Sequence, residues 1–213
     1  MGYRGVAGAL SERVSVTAPD TVRVMGRSAC AIAGSCVLGA FIAVEGRLRK
    51  GGEARTLHAG EQDRGSTAAV GASFGLALVA GPLVARSRRC QLPVRLGWFG
   101  VVMMTGGLVL RVAAARTLGR HYTRTLRTDS DQLVVTRGPY RYVRHPGYAG
   151  VLAMWLGYGL ALTSLPATVV TSIPNLVAYR RRIDAEEAML VDSLGDPYRH
   201  YQRNTKRLVP GLY

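Results

Sequence analysis

Long uncharged runs alternate with short charged stretches along this chain, and the runs carry no polar stripe that would mark a half-exposed soluble helix. Ser28 to Val44 is the first run, Ser66 to Ala85 the second and Val94 to Leu110, uncharged after Arg95, the third. At about 1.5 Å per residue each reaches across, or nearly across, a hydrocarbon core of about 30 Å, so three membrane spans are predicted over 28–44, 66–85 and 94–110. Arg111, Arg116 and Arg120 predict that the third helix leaves the bilayer while still helical. Gly71, Gly75 and Gly81 give the second span a small-residue face suited to close helix packing.

Two shorter runs, 148–162 and 166–179, are joined by Thr163-Ser164-Leu165-Pro166. Each is short for a full crossing, which predicts a helical hairpin that dips into the membrane and returns to the same side. Pro174 is expected to kink its second arm, and Arg180 to Leu194 to form a charged amphipathic segment beyond it. Residues 1–27 show no period and read as a tail, Glu45 to Gly65 as a loop, and Thr123 to Thr136 as a polar stretch with a turn at Asp129 and Asp131. The expected fold is an all-α integral membrane protein of about five transmembrane or reentrant helices, closed by a C-terminal helical hairpin. The 213 residues leave room for one such domain, over 28–213, behind the tail.

Charge changes the picture less than its size suggests. A net charge of +15 and a pI near 10.7 point to nucleic acid in a soluble chain, but the mean hydropathy is +0.10. The basic residues are arginines except Lys50 and Lys206, and they flank the apolar runs as arginines do at lipid headgroups. Membrane lipids are therefore the expected partners, and nucleic acid is not. Cys30, Cys36 and Cys90 lack metal-ligand spacing, no metal site is expected, and these residues read as small hydrophobes. The first apolar run starts behind a polar tail with no clear cleavage site, so it is expected to be retained.

The most informative stretch is Arg137-Gly-Pro-Tyr-Arg-Tyr-Val-Arg-His-Pro-Gly-Tyr-Ala-Gly150. Pro139 and Pro146 deny it a continuous helix, and its glycines permit tight turns. A bent loop at a membrane surface holds backbone groups that no ladder satisfies, so it is expected to line a polar cavity faced by Tyr140, His145 and Tyr148. His145 either binds a ligand or caps the helix that follows. Tyr142, Trp155 and Tyr158 read as interfacial aromatics. Arg182 and Glu186 stand four apart and share a helix face, where an ordinary surface ion pair is the alternative to a ligand site. Glu187, about 100° away, reads as solvated or paired with one of Arg180 to Arg182.

Gly138-Pro-Tyr140, Arg144-His-Pro-Gly-Tyr148-Ala-Gly150, Glu186-Glu187 after the hairpin and Leu194-Gly-Asp-Pro-Tyr198-Arg-His-Tyr201 stand in an order that resembles the isoprenylcysteine carboxyl methyltransferase family and its phospholipid methyltransferase relatives, over roughly residues 117 to 211. The resemblance implies an integral-membrane enzyme that takes S-adenosyl-L-methionine from the cytoplasm, through a cytosol-facing pocket, and a lipophilic small-molecule acceptor from the bilayer. It implies cofactor contacts from Gln132, Leu133, Val134, Val135, Tyr140, His145, Pro146, Gly147, Tyr148 and Glu186, and places Arg182 on the acceptor as the catalytic and substrate-binding residue. Two positions depart from the family pattern: a glutamine falls at Thr125 and a histidine at Gln132.

Transfer of methyl from a sulfonium neutralises charge and is opposed by water around the nucleophile, so a dry, positioned site supplies much of the acceleration. A carboxylate acceptor is already ionised and requires no base. Arg182 offers a planar fork matched to a carboxylate, which favours O-methylation to a methyl ester in a cell-membrane enzyme. N-methylation of a phospholipid amine is the alternative and would require a base such as Glu187 or His145. An NADPH-dependent membrane reductase and a non-enzymatic scaffold are more distant readings; no phosphate-cradling glycine loop is evident for the first, and the Arg-His-Pro loop lacks a purpose in the second.

Overall fold

The computed structural model describes residues 18–48, 63, 65–87, 90–119 and 134–212. The tail as far as residue 17, most of the loop expected over 45–65, and the polar stretch from Thr123 to Leu133 lie outside them, as do Thr125, Asp129, Asp131, Gln132 and Leu133. Regular structure among the described residues is helical: α1 is Ala18–Leu48, α2 Ser66–Ala85, α3 Val94–Leu118, α4 Pro146–Ala161, α5 Leu165–Leu194 and α6 Asp196–Asn204, with a 3-10 turn at Gly138–Arg141 before α4. Helices α1, α2 and α3 are each long and apolar enough to cross a membrane. Their outward faces carry exposed Ile32, Ile42, Val79, Leu83, Phe99, Val102 and Val109, the surface a lipid-facing helix presents.

Three elements differ from the sequence reading. Helix α1 begins ten residues ahead of Ser28, at Ala18, and runs through Glu45, which belongs to the helix and not to the loop after it. Helix α5 continues through Pro174 and past Arg180 to Leu194, so the hairpin's second arm and the charged segment are one helix of 30 residues. Its change of character at Arg180 is a change of surroundings, because charged residues are good helix formers. Third, the close-packing face of α2 is Ser73, Ala77 and Gly81, which are buried, whereas Gly71 and Gly75 meet nothing within 4 Å. The hydroxyl of Ser73 donates to Asn175 Oδ1 on α5 at 2.9 Å, so a polar contact sets the register between α2 and α5.

The tightest junction is α3 against α4. A Cβ on Gly100 would lie 2.5 Å from the Gly157 carbonyl oxygen and one on Gly157 2.5 Å from that of Gly100. Gly107 and Gly150 are reciprocal in the same way, with 2.5 Å from a Gly150 Cβ to the Gly107 oxygen. The two pairs run antiparallel, two turns apart on each helix. Around them Phe41, Met104, Val151, Met154, Trp155, Tyr158 and Tyr179 form the core. Trp155 and Tyr158 are therefore buried packing residues, not interfacial ones. Phe74 meets Trp155 edge-on with ring centroids 5.0 Å apart.

The α4–α5 turn is pinned at one end of α4. Leu92 N donates to Thr163 O at 2.9 Å and Leu165 N to Cys90 O at 3.0 Å, tying it to the α2–α3 connection. Ser164 caps α5, accepting from Ala167 N. At the other end of α4 the C-terminal turn of α1, the start of α2, the C-terminal part of α3 and the charged half of α5 converge, and there the polar residues collect.

Candidate active site

The loop before α4 takes its shape from its prolines and one glycine. Gly138 sits at φ 59°, where a side chain is strained, and a Cβ there would lie 2.9 Å from Thr117 Oγ1. Pro139 is the second residue of the 3-10 turn and Pro146 opens α4, both at positions whose missing N–H has no helical partner to lose. The backbone between them is held by the C-terminal tail: Arg144 N donates to Lys206 O at 2.8 Å and His145 N to Arg207 O at 2.9 Å. Tyr201, on α6, donates its hydroxyl to Tyr140 O at 2.5 Å. The loop's backbone donors, expected to face a cavity, are thus partly satisfied by the tail.

Glu187 is the hub beneath this loop, and the expectation that it is solvated is wrong. Its Oε1 accepts from Arg144 Nε at 2.8 Å and lies 3.1 Å from His145 Nε2, and its Oε2 accepts from Arg207 Nη2 at 2.9 Å. The carboxylate is 5% exposed. Burial alone raises its pKa, but hydrogen bonds from His145 and Arg144, with the charges behind them, outweigh that and bring it to about 2. His145 stands at the N-cap position of α4 without capping through its side chain, which turns to Glu187 instead.

A second cluster lies against the first. Arg182 Nη1 donates to Asp63 Oδ1 at 2.7 Å, Thr67 Oγ1 at 2.7 Å and Ser66 Oγ at 3.2 Å, and its Nε reaches the Tyr148 hydroxyl at 3.4 Å. Tyr148 in turn donates to Glu186 Oε2 at 2.5 Å. The His145 ring stacks on Tyr148 with centroids 5.6 Å apart and planes 6° apart, and Tyr179 packs beside it at 5.0 Å. His145, Tyr148, Arg182 and Glu186 thus form one contiguous group.

The remaining expected residues are distributed around it. Val134 and Val135 are half-buried in irregular backbone leading into the turn, and Tyr140 is half-buried within it. Pro146 and Gly147 are buried at the start of α4, and a Cβ on Gly147 would lie 2.9 Å from Arg111 Nη1. Sequence reasoning gave no contact to Asp63, Arg207, Arg144 or Tyr198, although the last two stand within the motifs that carry the resemblance. The first lies in a stretch read as loop, and the others needed the tail to fold back under α4, which no local pattern announces.

The donor set suits a ligand carrying both cationic and hydroxyl groups. Glu186 presents a carboxylate beside stacked aromatic faces. Tyr198 is 3% exposed, and its hydroxyl makes no hydrogen bond among the described residues. Burial, then the charges of Glu187 and Glu186, push that phenol well above its ordinary range, so it stays a proton donor.

Residues 100–192 match the model of the isoprenylcysteine carboxyl methyltransferase family. The matched stretch holds both clusters' residues from α4 and α5, and leaves Asp63 and the tail outside it. A protein-S-isoprenylcysteine O-methyltransferase of Schizosaccharomyces pombe is 33% identical over 106 residues, 49% of this chain and 45% of that protein. Protein-S-isoprenylcysteine O-methyltransferase A of Arabidopsis thaliana is 31% identical over 114 residues, 53% of this chain and 58% of that protein. The match thus spans about half the length of these relatives. The solved structure of the eukaryotic intramembrane Ras methyltransferase, an isoprenylcysteine carboxyl methyltransferase, superposes with a TM-score of 0.55 at 20% identity, over 91% of this chain and 74% of that one, and the two share a fold.

Proposed function

We propose that this chain, whose residues 100–192 match the model of the isoprenylcysteine carboxyl methyltransferase family, is an integral-membrane enzyme that methylates the carboxylate of a lipophilic, isoprenylcysteine-like acceptor with S-adenosyl-L-methionine. The observation that carries this reading is the meeting of Arg182 and Glu186 at one atom, the Tyr148 hydroxyl, beside the stacked ring of His145. A group able to hold an anionic acceptor and a group able to hold a cationic donor are thereby adjacent at the polar end of a membrane helix pair.

Bound S-adenosyl-L-methionine supplies an electrophilic methyl group on a sulfonium. Glu186 accepts from its ammonium or ribose hydroxyls, the His145 and Tyr148 rings wall the site, and Tyr140, Pro146, Gly147 and the Val134–Val135 backbone complete it. Arg182 holds the acceptor carboxylate, whose charge makes a base unnecessary. The core beneath Tyr148, built from Tyr179, Phe74 and Trp155, keeps water from the acceptor side. In this reading residues 28–213 are one membrane domain, α4 and the first half of α5 form its hairpin, and the site opens toward the cytoplasm, where the cofactor is made.

The test is to supply methyl-labelled S-adenosyl-L-methionine to membranes holding the wild type or Arg182→Ala, with a farnesylated cysteine as acceptor. Wild type labels a lipid-extractable product that mild alkali releases as an ester. Arg182→Ala loses about 10- to 100-fold in transfer, the worth of a charge-assisted contact, while binding S-adenosylhomocysteine as before. Label that survives alkali overturns the ester and indicates an amine acceptor.

A further inference from the structure

Arg182 is held from a part of the chain that the family match does not reach. Asp63, at the start of α2, is 2% exposed and receives four hydrogen bonds: from Ser66 Oγ at 2.7 Å, Thr67 Oγ1 at 2.9 Å, Thr67 N at 3.2 Å and Arg182 Nη1 at 2.7 Å. Three of the four come from the first turn of α2 itself. The carboxylate is therefore fixed by that helix whether or not the arginine is present, and it offers the guanidinium a rigid, charged anchor. Ser66 and Thr67 add their hydroxyl oxygens to the same Nη1. The anchor takes one nitrogen of the fork and leaves the Nε side turned toward Tyr148 and Glu186, where the proposed reaction occurs.

We infer that Asp63, supported by Ser66 and Thr67, is a positioning residue for Arg182 that fixes which edge of the guanidinium meets the acceptor. The inference rests on the methyltransferase reading above. A guanidinium has several donors and a long stem, and an unanchored one spends its side-chain entropy on each binding event. Anchoring Nη1 turns Arg182 into a preformed seat, and α2 becomes a wall of the acceptor site.

A merely structural ion pair between α2 and α5 makes a different prediction from a positioning one. Full-length protein in lipid nanodiscs is compared as wild type, Asp63→Asn, Asp63→Ala and Thr67→Val. Three quantities are read: acceptor KM and kcat with the farnesylated cysteine, S-adenosylhomocysteine affinity, and the rate at which phenylglyoxal modifies Arg182, followed by peptide mass spectrometry. Asp63→Ala lowers kcat/KM for the acceptor at least about tenfold, mainly through KM, and speeds Arg182 modification several-fold, with S-adenosylhomocysteine affinity within about threefold of wild type. Asp63→Asn, whose amide oxygen can still accept from Nη1, recovers part of both effects. Thr67→Val, which keeps the charge, shifts both in the same direction by about twofold and serves where the aspartate variants fail to fold. Unchanged acceptor kinetics in a folded Asp63→Ala overturn the inference. So does a fall in acceptor KM, which would mean that Asp63 competes for the acceptor's seat. Absence of methyl transfer by wild type sinks the methyltransferase reading instead; an Arg182 modification rate the same in Asp63→Ala as in wild type removes the anchor independently of it.

Discussion

Taking the charge from Glu187 leaves the guanidiniums of Arg144, on its Oε1 side, and Arg207, on its Oε2 side, facing a group that no longer balances them, with Asp184 still on Arg207. Glu187→Gln keeps the shape and is expected to cost about 3 kcal/mol, read as a Tm lower by roughly 5–10 °C in detergent. The pH dependence follows from the same contacts. The folded carboxyl titrates near 2 against an ordinary 4.5, so its contribution is complete above about pH 4.5 and is lost as pH falls toward 2. Wild type should lose stability across that window and Glu187→Gln should lose distinctly less, as measured by unfolding at stepped pH. Why the sequence misplaced this residue is a matter of distance along the chain. The spacing of Arg182 and Glu186 put them on one face, and both do reach Tyr148. The spacing also turned Glu187 away from them, but only the folded tail and loop show that this other direction leads to Arg144, His145 and Arg207 and not to water.

Helices α3 and α4 touch backbone to backbone because glycines stand at each crossing. An alanine at Gly107 or Gly157 places a methyl group against a carbonyl oxygen that belongs to a helix and cannot turn aside, so the helices must separate and lose contact along their length. Gly107→Ala and Gly157→Ala should each cost about 2 kcal/mol or more, whereas Gly71→Ala and Gly75→Ala, which meet open space, should be neutral or slightly stabilising because alanine favours helix. Thermal unfolding of the four variants separates the two classes. The apolar runs revealed α2 to its ends and the start of α3, whose last two turns, to Leu118, were legible only in the arginines beyond the run. Which glycines pack was hidden, because a small residue presents the same letter to lipid and to a neighbouring helix. The continuity of α5 was hidden for a related reason: composition reports the environment of a helix, and that environment changes at Arg180 while the helix does not end.

Across the whole molecule, two buried ion pairs bind the first part of the chain to the second. Asp63 meets Arg182, and Glu45, near the end of α1, accepts from Arg111 Nε at 2.8 Å near the end of α3. Charges buried in apolar helices are rare and are held there by strong local demands. Arg111 of this pair stands directly behind Gly147, so α1 and α3 press on the start of α4, from which the proposed cofactor contacts come. Uncharging both partners should cost less than the two single changes added together. Glu45→Gln and Arg111→Met are each expected to cost about 3 kcal/mol, because each leaves the other charge buried with its main partner gone, and the double variant clearly less than their sum. A double-mutant cycle of unfolding free energies in one detergent measures the difference. A coupling above about 1 kcal/mol shows that the pair clamps α1 to α3, while additivity within about 0.5 kcal/mol assigns the clamping to the apolar contacts around it.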